Sequence, residues 1–166
     1  RLLPMPGSPP NRTARRSPAW ASFPAAAMAL RSRARPTNVE LANDVNEHMP
    51  DYVHARITSL LNEQRKSLNG SKVLLLGLAY KRGTSDWRES PSVVVADRLA
   101  ASGAEVEFCD PHIPEVNVRG ARFPMADFTP ESLNAADMVV VLVDHPEFDP
   151  TLIAEHATLV FDAKNI

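Results

Sequence analysis

A cluster of polar residues follows one of the most apolar runs in this sequence. Residues 73–76 carry only branched apolar side chains, the pattern of a strand buried on both faces of a parallel sheet. Gly77 then allows the backbone to turn. The loop after it carries several charged residues, among them Lys81, Arg82, Asp86 and Arg88. Cations placed between a buried strand and a helix start can hold an anionic ligand such as a phosphate.

The dipeptide Ser90-Pro91 predicts that a helix begins directly after this loop. Serine is a favoured N-cap and proline a favoured first helical residue, so we expect a helix from Ser92 to about Ala101. Exposed amide N–H groups and the helix dipole would add to the attraction for an anion. The spacing matches neither G-x-G-x-x-G nor G-x-x-x-x-G-K-[ST]. A surface connection whose charges are simply solvated therefore stays an open alternative.

Other residue types with chemical potential are interpreted as structural. The single cysteine, Cys109, ends a predicted strand, where a small apolar side chain is usual, rather than a nucleophile. Asp110 stands where dinucleotide folds place an acid against a ribose, but we favour an acidic turn residue before proline. His145 also precedes a proline and is expected to cap a turn. No metal site is predicted, because no two histidines have ligand spacing: His48, His54, His112, His145 and His156.

The elements around the loop predict an α/β fold. Strands are expected at 73–76, 105–109, 138–143 and 158–162, with helices at 92–101, from Thr129, and at 151–156. Alternating strands and helices favour an open, doubly wound (Rossmann-like) parallel sheet. Residues 111–128 are expected to be irregular.

A long helix is predicted to precede the sheet. From Val39 to about Leu68, apolar residues recur at three- and four-residue steps and form one stripe. Pro50 predicts a kink or break near Met49, and Asn69-Gly70 is expected to close the helix. The stripe could pack on its own domain or on a partner chain.

Composition divides the chain into three segments. Residues 1–37 hold seven arginines, seven prolines and no acidic residue, which predicts no stable fold. We interpret this segment as disordered or as an aberrant gene start, such as a frame shift, rather than as a targeting signal. Residues 38–69 form the helix segment. Residues 70–166 form a ligand-binding domain that we expect to be truncated, because the chain stops just after a strand.

The charge and the hydrophobicity of the sequence disfavour two classes of partner, nucleic acids and membranes. All 20 acidic residues follow residue 37, against 11 Lys and Arg in the same part. An acidic folded part disfavours a nucleic-acid partner. No apolar run approaches the ~20 residues needed to cross a bilayer, and one cysteine suits a reducing compartment. We therefore expect a cytoplasmic protein with neither a nucleic acid nor a membrane as partner.

The loop sequence also resembles a known motif. Residues 77–91 read GLAYKRGTSDWRESP. This closely resembles the start of the C-terminal, UDP-sugar-binding domain of the UDP-glucose/GDP-mannose dehydrogenase family, roughly G-(L/F)-(A/T)-(F/Y)-K-x-x-T-x-D-x-R-x-(S/A)-P. Within the family, the sequence of this motif is most similar to that of bacterial UDP-N-acetylhexosamine dehydrogenases. Residues 40–50, 108–112 and 161–165 resemble further family segments in the family's order, so the likeness covers about residues 39–166.

The resemblance implies a reaction, and it implies that two domains contribute different parts of the active site. The family oxidises the C6 alcohol of a UDP-sugar to the uronic acid with NAD, through a thioester on a cysteine, and serves polysaccharide biosynthesis. A separate N-terminal domain, of which nothing is recognisable here, would bind most of the NAD and carry the catalytic cysteine. This chain would then supply UDP-sugar binding and catalyse nothing alone, and we assign it no catalytic residue.

The resemblance also implies binding roles for four residues. It implies that Tyr80 and Lys81 contact the UDP-sugar, and that Lys164 does so where the family often has arginine. Arg88 is implied to reach the NAD held by the other domain. The long helix is implied to join two domains and to form a homodimer in the complete protein.

Two other functions stay open at this point. The chain could be a non-catalytic, dimerising α/β interaction module without a ligand. It could also be a self-standing NAD-binding dehydrogenase domain, although the missing G-x-G-x-x-G counts against this. The sequence does not distinguish which sugar nucleotide is bound.

Overall fold

A computed structural model of the chain describes residues 38–118 and 121–165. The residues that we predicted to be disordered or aberrant, 1–37, lie outside this part. The elements, in chain order, are α1 (Asn38–Glu63), β1 (Lys72–Leu76), α2 (Pro91–Ala101), β2 (Glu105–Cys109), β3 (Asn117–Val118), β4 (Ala121–Arg122), α3 (Pro130–Ala135), β5 (Met138–Val141), α4 (Pro150–His156) and β6 (Val160–Asp162).

Four of the strands form one parallel sheet, which confirms the predicted fold class. The strand order is β2-β1-β5-β6, and β1 lies between its two parallel neighbours. Leu75 of β1 is in register with Phe108 of β2 and with Val140 of β5. All three of these side chains are fully buried. The near-continuous apolar runs of β1 and β5 are therefore explained by helices covering both faces of the sheet.

Two separate apolar layers cover the two faces. Alternate β1 residues point to opposite sides, so Val73 and Leu75 belong to one layer and Leu74 and Leu76 to the other. The first layer contains buried residues of α1 and α2, and the second contains those of α3 and α4. The result is a three-layer α/β/α arrangement.

The second half of α1 packs on the chain's own domain. Val53, Ile57 and Leu61 are buried in the same layer as α2. Polar contacts support the packing, since Arg98 of α2 pairs with Asp51 and His54 Nε2 lies 2.8 Å from the Ser102 hydroxyl. The sequence left open whether the apolar stripe of α1 packs on its own domain or on a partner chain. Residues 53–61 of the stripe pack on its own domain.

Both predictions about the course of α1 need correction. The helix continues through Pro50, so of the predicted kink or break the break is absent. Pro50 is buried, and tertiary packing of this kind overrides local propensity. The helix also ends at Glu63 rather than near Leu68. Lys66 N donates to Leu61 O and Arg65 N to Asn62 O, with Arg65 at φ +59. This is a Schellman cap with arginine where glycine is usual.

The remaining differences are small. The segment expected to be irregular contains a short antiparallel pair, β3 with β4, and a single bridge from Phe108 to Met125. β5 and β6 are shorter than predicted, whereas β2 has the predicted bounds. Thr129 caps α3 as predicted, through a reciprocal capping box with Ser132.

None of the helices in the described residues is both long enough and apolar enough to span a bilayer.

Candidate functional site

The sheet has a crevice at its carboxyl edge. The chain leaves β1 toward β2 on one side and leaves β5 toward β6 on the other, so the strand order reverses between β1 and β5. Open α/β sheets bind ligands at such a switch point. A cleft of about 320 Å³ lies here, and it is lined by residues of α1, of the loop after β1, of the start of α2 and of the segments after β5 and β6: Met49, Pro50, Val53, Tyr80, Ser90, Pro91, Ser92, Val95, Leu142, Val143, Ala163 and Lys164.

Gly77 determines how the loop leaves β1. Its φ is +84, in the left-handed region that favours glycine. A Cβ at this position would lie 2.5 Å from Val143 Cβ and 3.0 Å from Val143 Cα. The segment after β5 can therefore approach the loop closely only because residue 77 has no side chain.

The structure places the predicted substrate residues in two groups. Tyr80 and Lys164 both line the cleft, and Tyr80 is 57% exposed. Lys81 is exposed on the loop but is not part of the cleft wall. Among the residues whose side chains are described, 48–117 and 122–165, none forms a hydrogen bond or ion pair with the ammonium of Lys81 or of Lys164. Both positive charges are therefore available to an anion, Lys164 in the cleft wall and Lys81 on the exposed loop next to Tyr80.

The arginines of the loop point into solvent. Arg88 Nε lies 3.9 Å from Asp86 Oδ1, and the Arg88 side chain is 84% exposed. Arg82 pairs with Asp144 at 3.9 Å, and both side chains are again exposed. Exposed pairs at this distance contribute little energy, so Arg88 can exchange Asp86 for another anion. It does not line the cleft.

The start of α2 does not provide the exposed amide groups that the sequence suggested. Ser90 is the N-cap, with its hydroxyl accepting from Ser92 N at 3.2 Å. Val93 N donates to Ser90 O at 3.1 Å, and Pro91 has no N–H. The cap thus uses the first N–H groups itself. An anion at this position would be attracted by the helix dipole and by side chains rather than by the N–H groups of Ser92 and Val93.

Beside the cleft, two buried polar residues hold the loop. Asp110 is 5% exposed and His145 is 2% exposed, and His145 Nε2 lies 3.3 Å from Asp110 Oδ2. The same oxygen accepts from Leu78 N at 2.8 Å and from Ala79 N at 3.1 Å. On the far side of the Tyr80-Lys81 pair, Gly83 N donates to His145 Nδ1 at 3.3 Å.

Sequence reasoning missed the importance of this pair. The turn that we predicted for Asp110 is present, because Asp110 Oδ1 accepts from His112 N at 2.9 Å. However, its carboxylate also binds the loop after β1, which leaves it unavailable to a ribose. Polar residues directly after two buried strands were the only signal, and the order of the strands was needed to bring them together.

A second cavity lies beyond this pair, at the end of β2. It has a volume of about 380 Å³ and is lined by apolar and acidic side chains together with His112 and Cys109. Burial raises the pKa of the Cys109 thiol to about 11, and the negative charges of Asp110 and Asp127 add to the effect. The thiol is protonated at neutral pH, which supports its interpretation as a structural residue.

One cluster in this region has the donor atoms of a metal site. Ligand atoms of His112, His145 and Glu147 all lie within 4.8 Å of one another. His145 already uses both ring nitrogens, toward Gly83 N and Asp110. Only His112 and Glu147 would remain, with His112 Nε2 3.7 Å from Glu147 Oε1. Two ligands are fewer than a zinc site requires, so the geometry does not favour a metal.

Comparison with known proteins identifies the family. Residues 74–166 match the UDP-binding domain of the UDP-glucose/GDP-mannose dehydrogenase family. The chain belongs to this family. It is 35% identical over 155 residues to a UDP-glucose 6-dehydrogenase of Haloferax volcanii, in a match that covers 87% of the chain and 34% of the relative. It is 30% identical over 134 residues to a UDP-N-acetyl-D-mannosamine dehydrogenase of Escherichia coli, covering 77% of the chain and 32% of the relative.

Solved structures of this dehydrogenase family give the same result. An NDP-N-acetyl-D-galactosaminuronic acid dehydrogenase from Methanosarcina mazei superimposes with a TM-score of 0.63 at 28% identity, over 82% of this chain and 30% of that one. The chain thus spans about a third of the length of the dehydrogenases that it matches. The matching part is the domain that carries the cleft.

Proposed function

We propose that this chain is the UDP-sugar-binding part of a nucleotide-sugar 6-dehydrogenase and binds the UDP-sugar in the cleft between β1 and β5. The observation that carries the proposal is that Tyr80 and Lys164, from opposite ends of the domain's sequence, line one cleft at the switch point. The general rule for open α/β sheets expects a ligand at such a switch point. Most of the lining residues also belong to the segment that matches the family's UDP-binding domain, residues 74–166.

Side chains rather than backbone would recognise the diphosphate. Lys81 and Lys164 each offer an ammonium with three donors, and such charge-assisted hydrogen bonds are about twice as strong as neutral ones. Tyr80 offers an apolar ring with a hydroxyl at its tip, which suits a sugar or a base. Met49, Pro50 and Val53 of α1 add apolar side chains to the cleft wall.

In the complete enzyme, NAD would be held mainly by a domain outside this chain. The residues described here do not fit a dinucleotide of their own, because Asp110 and the amides of Leu78 and Ala79 are already bonded to each other. Arg88 is exposed and is the residue that we propose contacts the cofactor on the other domain. We further propose that the complete enzyme is a cytoplasmic homodimer with contacts along α1.

Isothermal titration calorimetry tests the proposal. We expect this chain to bind UDP and a UDP-sugar, to bind NAD much more weakly, and to form no NADH when all are mixed. Turnover by the chain alone would contradict the proposal that catalysis needs a second domain. Absence of heat with either uridine nucleotide, in a folded sample, would instead favour the non-catalytic interaction module.

The Lys81→Ala substitution tests the role of the loop. Because a hydrogen bond to a charged group contributes about 1.5–3 kcal/mol, we expect UDP affinity to fall about 10- to 100-fold. Lys72→Ala is the matched control, since Lys72 is also exposed but lies at the opposite, amino-terminal end of β1. Equal UDP affinity of the two variants would show that Lys81 does not contact UDP.

A further inference from the structure

We infer that Asp110 and His145 are positioning residues that clamp the ligand loop at two points, and we call this pair the loop clamp. Asp110 holds the residues just before Tyr80 and Lys81, through the amides of Leu78 and Ala79. His145 holds Gly83, just after them. The two anchors are joined to each other through His145 Nε2 and Asp110 Oδ2.

The direction of each hydrogen bond fixes the state of the histidine. A backbone N–H can only donate, so His145 Nδ1 must be an unprotonated acceptor toward Gly83. The ring proton of the neutral imidazole then resides on Nε2 and is donated to the Asp110 carboxylate. Every bond in the clamp is satisfied by this one arrangement, a neutral Nε2–H histidine and an ionised aspartate.

Burial gives the clamp its energetic importance. The side chains of both residues are fully shielded from solvent, so an unsatisfied donor or acceptor there costs about 1–3 kcal/mol. Between the anchors, Tyr80 and Lys81 are exposed. A flexible lysine on an anchored backbone loses less freedom when it binds a ligand than one on a mobile loop. The consequence for affinity rests on the proposed function, whereas the clamp itself does not.

Two substitutions at residue 145 separate its two bonds. Asparagine places a carbonyl oxygen near the position of Nδ1, so His145→Asn keeps an acceptor for Gly83 and loses the donor to Asp110. Glutamine places an amide near the position of Nε2, so His145→Gln keeps the donor and loses the acceptor. His156→Asn, at the end of α4 and away from the loop, is the control.

Amide hydrogen exchange measured by NMR, without any ligand, reads out the anchors one by one. We expect the Gly83 amide to exchange at least about tenfold faster in His145→Gln than in the parent, and within about twofold of the parent in His145→Asn and His156→Asn. In Asp110→Asn the amides of Leu78 and Ala79 should exchange faster, because a neutral amide oxygen is a weaker acceptor than a carboxylate. Circular dichroism confirms that each variant is folded.

Long-range nitrogen–proton NMR correlations of the imidazole should show His145 as the Nε2–H tautomer. An Nδ1–H tautomer would overturn the inference, as would equal Gly83 exchange in the glutamine and asparagine variants. Calorimetry with UDP then adds the functional consequence, an affinity at least about fivefold weaker in His145→Gln than in His145→Asn. If the parent binds no UDP, the proposed function fails while the exchange data still decide on the clamp.

Discussion

At the scale of single residues, Cys109 shows how position controls reactivity. Its thiol is buried at the end of β2, and burial raises its pKa to about 11. An ordinary cysteine has a pKa of about 8.5, so the thiolate at pH 8 is about 200-fold rarer in the folded chain. We expect the thiol reagent DTNB to react at least about 100-fold more slowly with the folded than with the urea-unfolded protein. Equal rates would show that the thiol is accessible and activated.

Gly77 is the residue on which the shape of the cleft depends most. Gly77→Ala would combine a strained left-handed backbone, costing about 1–2 kcal/mol, with overpacking against Val143, costing about 1–3 kcal/mol more. We expect urea denaturation to show a loss of about 2–5 kcal/mol in the free energy of unfolding.

The control for this prediction is Gly70→Ala. Gly70 has a similar φ of +80, but no atom lies within 4 Å of the added Cβ. It should cost only the backbone strain, about 1–2 kcal/mol. Equal free energies of unfolding for the two variants would show that Val143 does not approach residue 77 closely.

At the scale of elements, Asp137 fastens the amino-terminal end of β1. Its carboxylate pairs with Lys66 and accepts from Lys72 N at 2.9 Å. The hydrogen bond from Lys66, and then that from the Lys72 amide, lower the pKa of Asp137. A depressed folded-state pKa contributes stability above the unfolded value of about 3.9, and the contribution is lost as pH falls through the folded value.

We therefore expect Asp137→Asn to lower the free energy of unfolding by about 1 kcal/mol at pH 7. At about pH 2 the difference should be smaller, since more of the parent carboxylate is then protonated. Urea denaturation at both pH values measures it, with the exposed Asp127→Asn as control. A difference that persists unchanged at low pH would show that charge is not the cause.

The elements also show which features the sequence could predict. The order of strands and helices, the bounds of β2, and the caps Ser90 and Thr129 follow from periodicity and local hydrogen bonding. The end of α1 could not be predicted because Arg65 adopts the left-handed conformation that normally signals glycine. The helix continues through Pro50 because buried contacts further along the chain compensate for the lost hydrogen bond.

The site was predicted only in part, for a similar reason. The polar loop, Tyr80 and Lys81 are adjacent in sequence, so a motif could identify them. That Lys164 shares the cleft with Tyr80, and that Asp110 meets His145, depends on which strands are neighbours in the sheet. Such contacts are non-local, and the histidine before a proline gave no sign that both its nitrogens would be bonded inside the domain.

At the scale of the whole molecule, the cleft and the cavity at the end of β2 are two alternative binding positions in the part of the chain that the structure describes. The cleft between β1 and β5 carries Tyr80 and Lys164, whereas the cavity at the end of β2 carries the carboxylates of Asp127 and Glu147. A diphosphate is anionic, so electrostatics favour the first position and oppose the second. The central claim is that UDP occupies the cleft at the switch point.

Titration of the nitrogen-15-labelled chain with UDP, followed through backbone amide chemical shifts, tests that claim most directly. We expect the largest shifts at Tyr80, Lys81, Ser92, Val143 and Lys164, with little change around Asp127 and Phe128. Shifts concentrated around Asp127 and Phe128, or none at millimolar UDP in a folded sample, would contradict it.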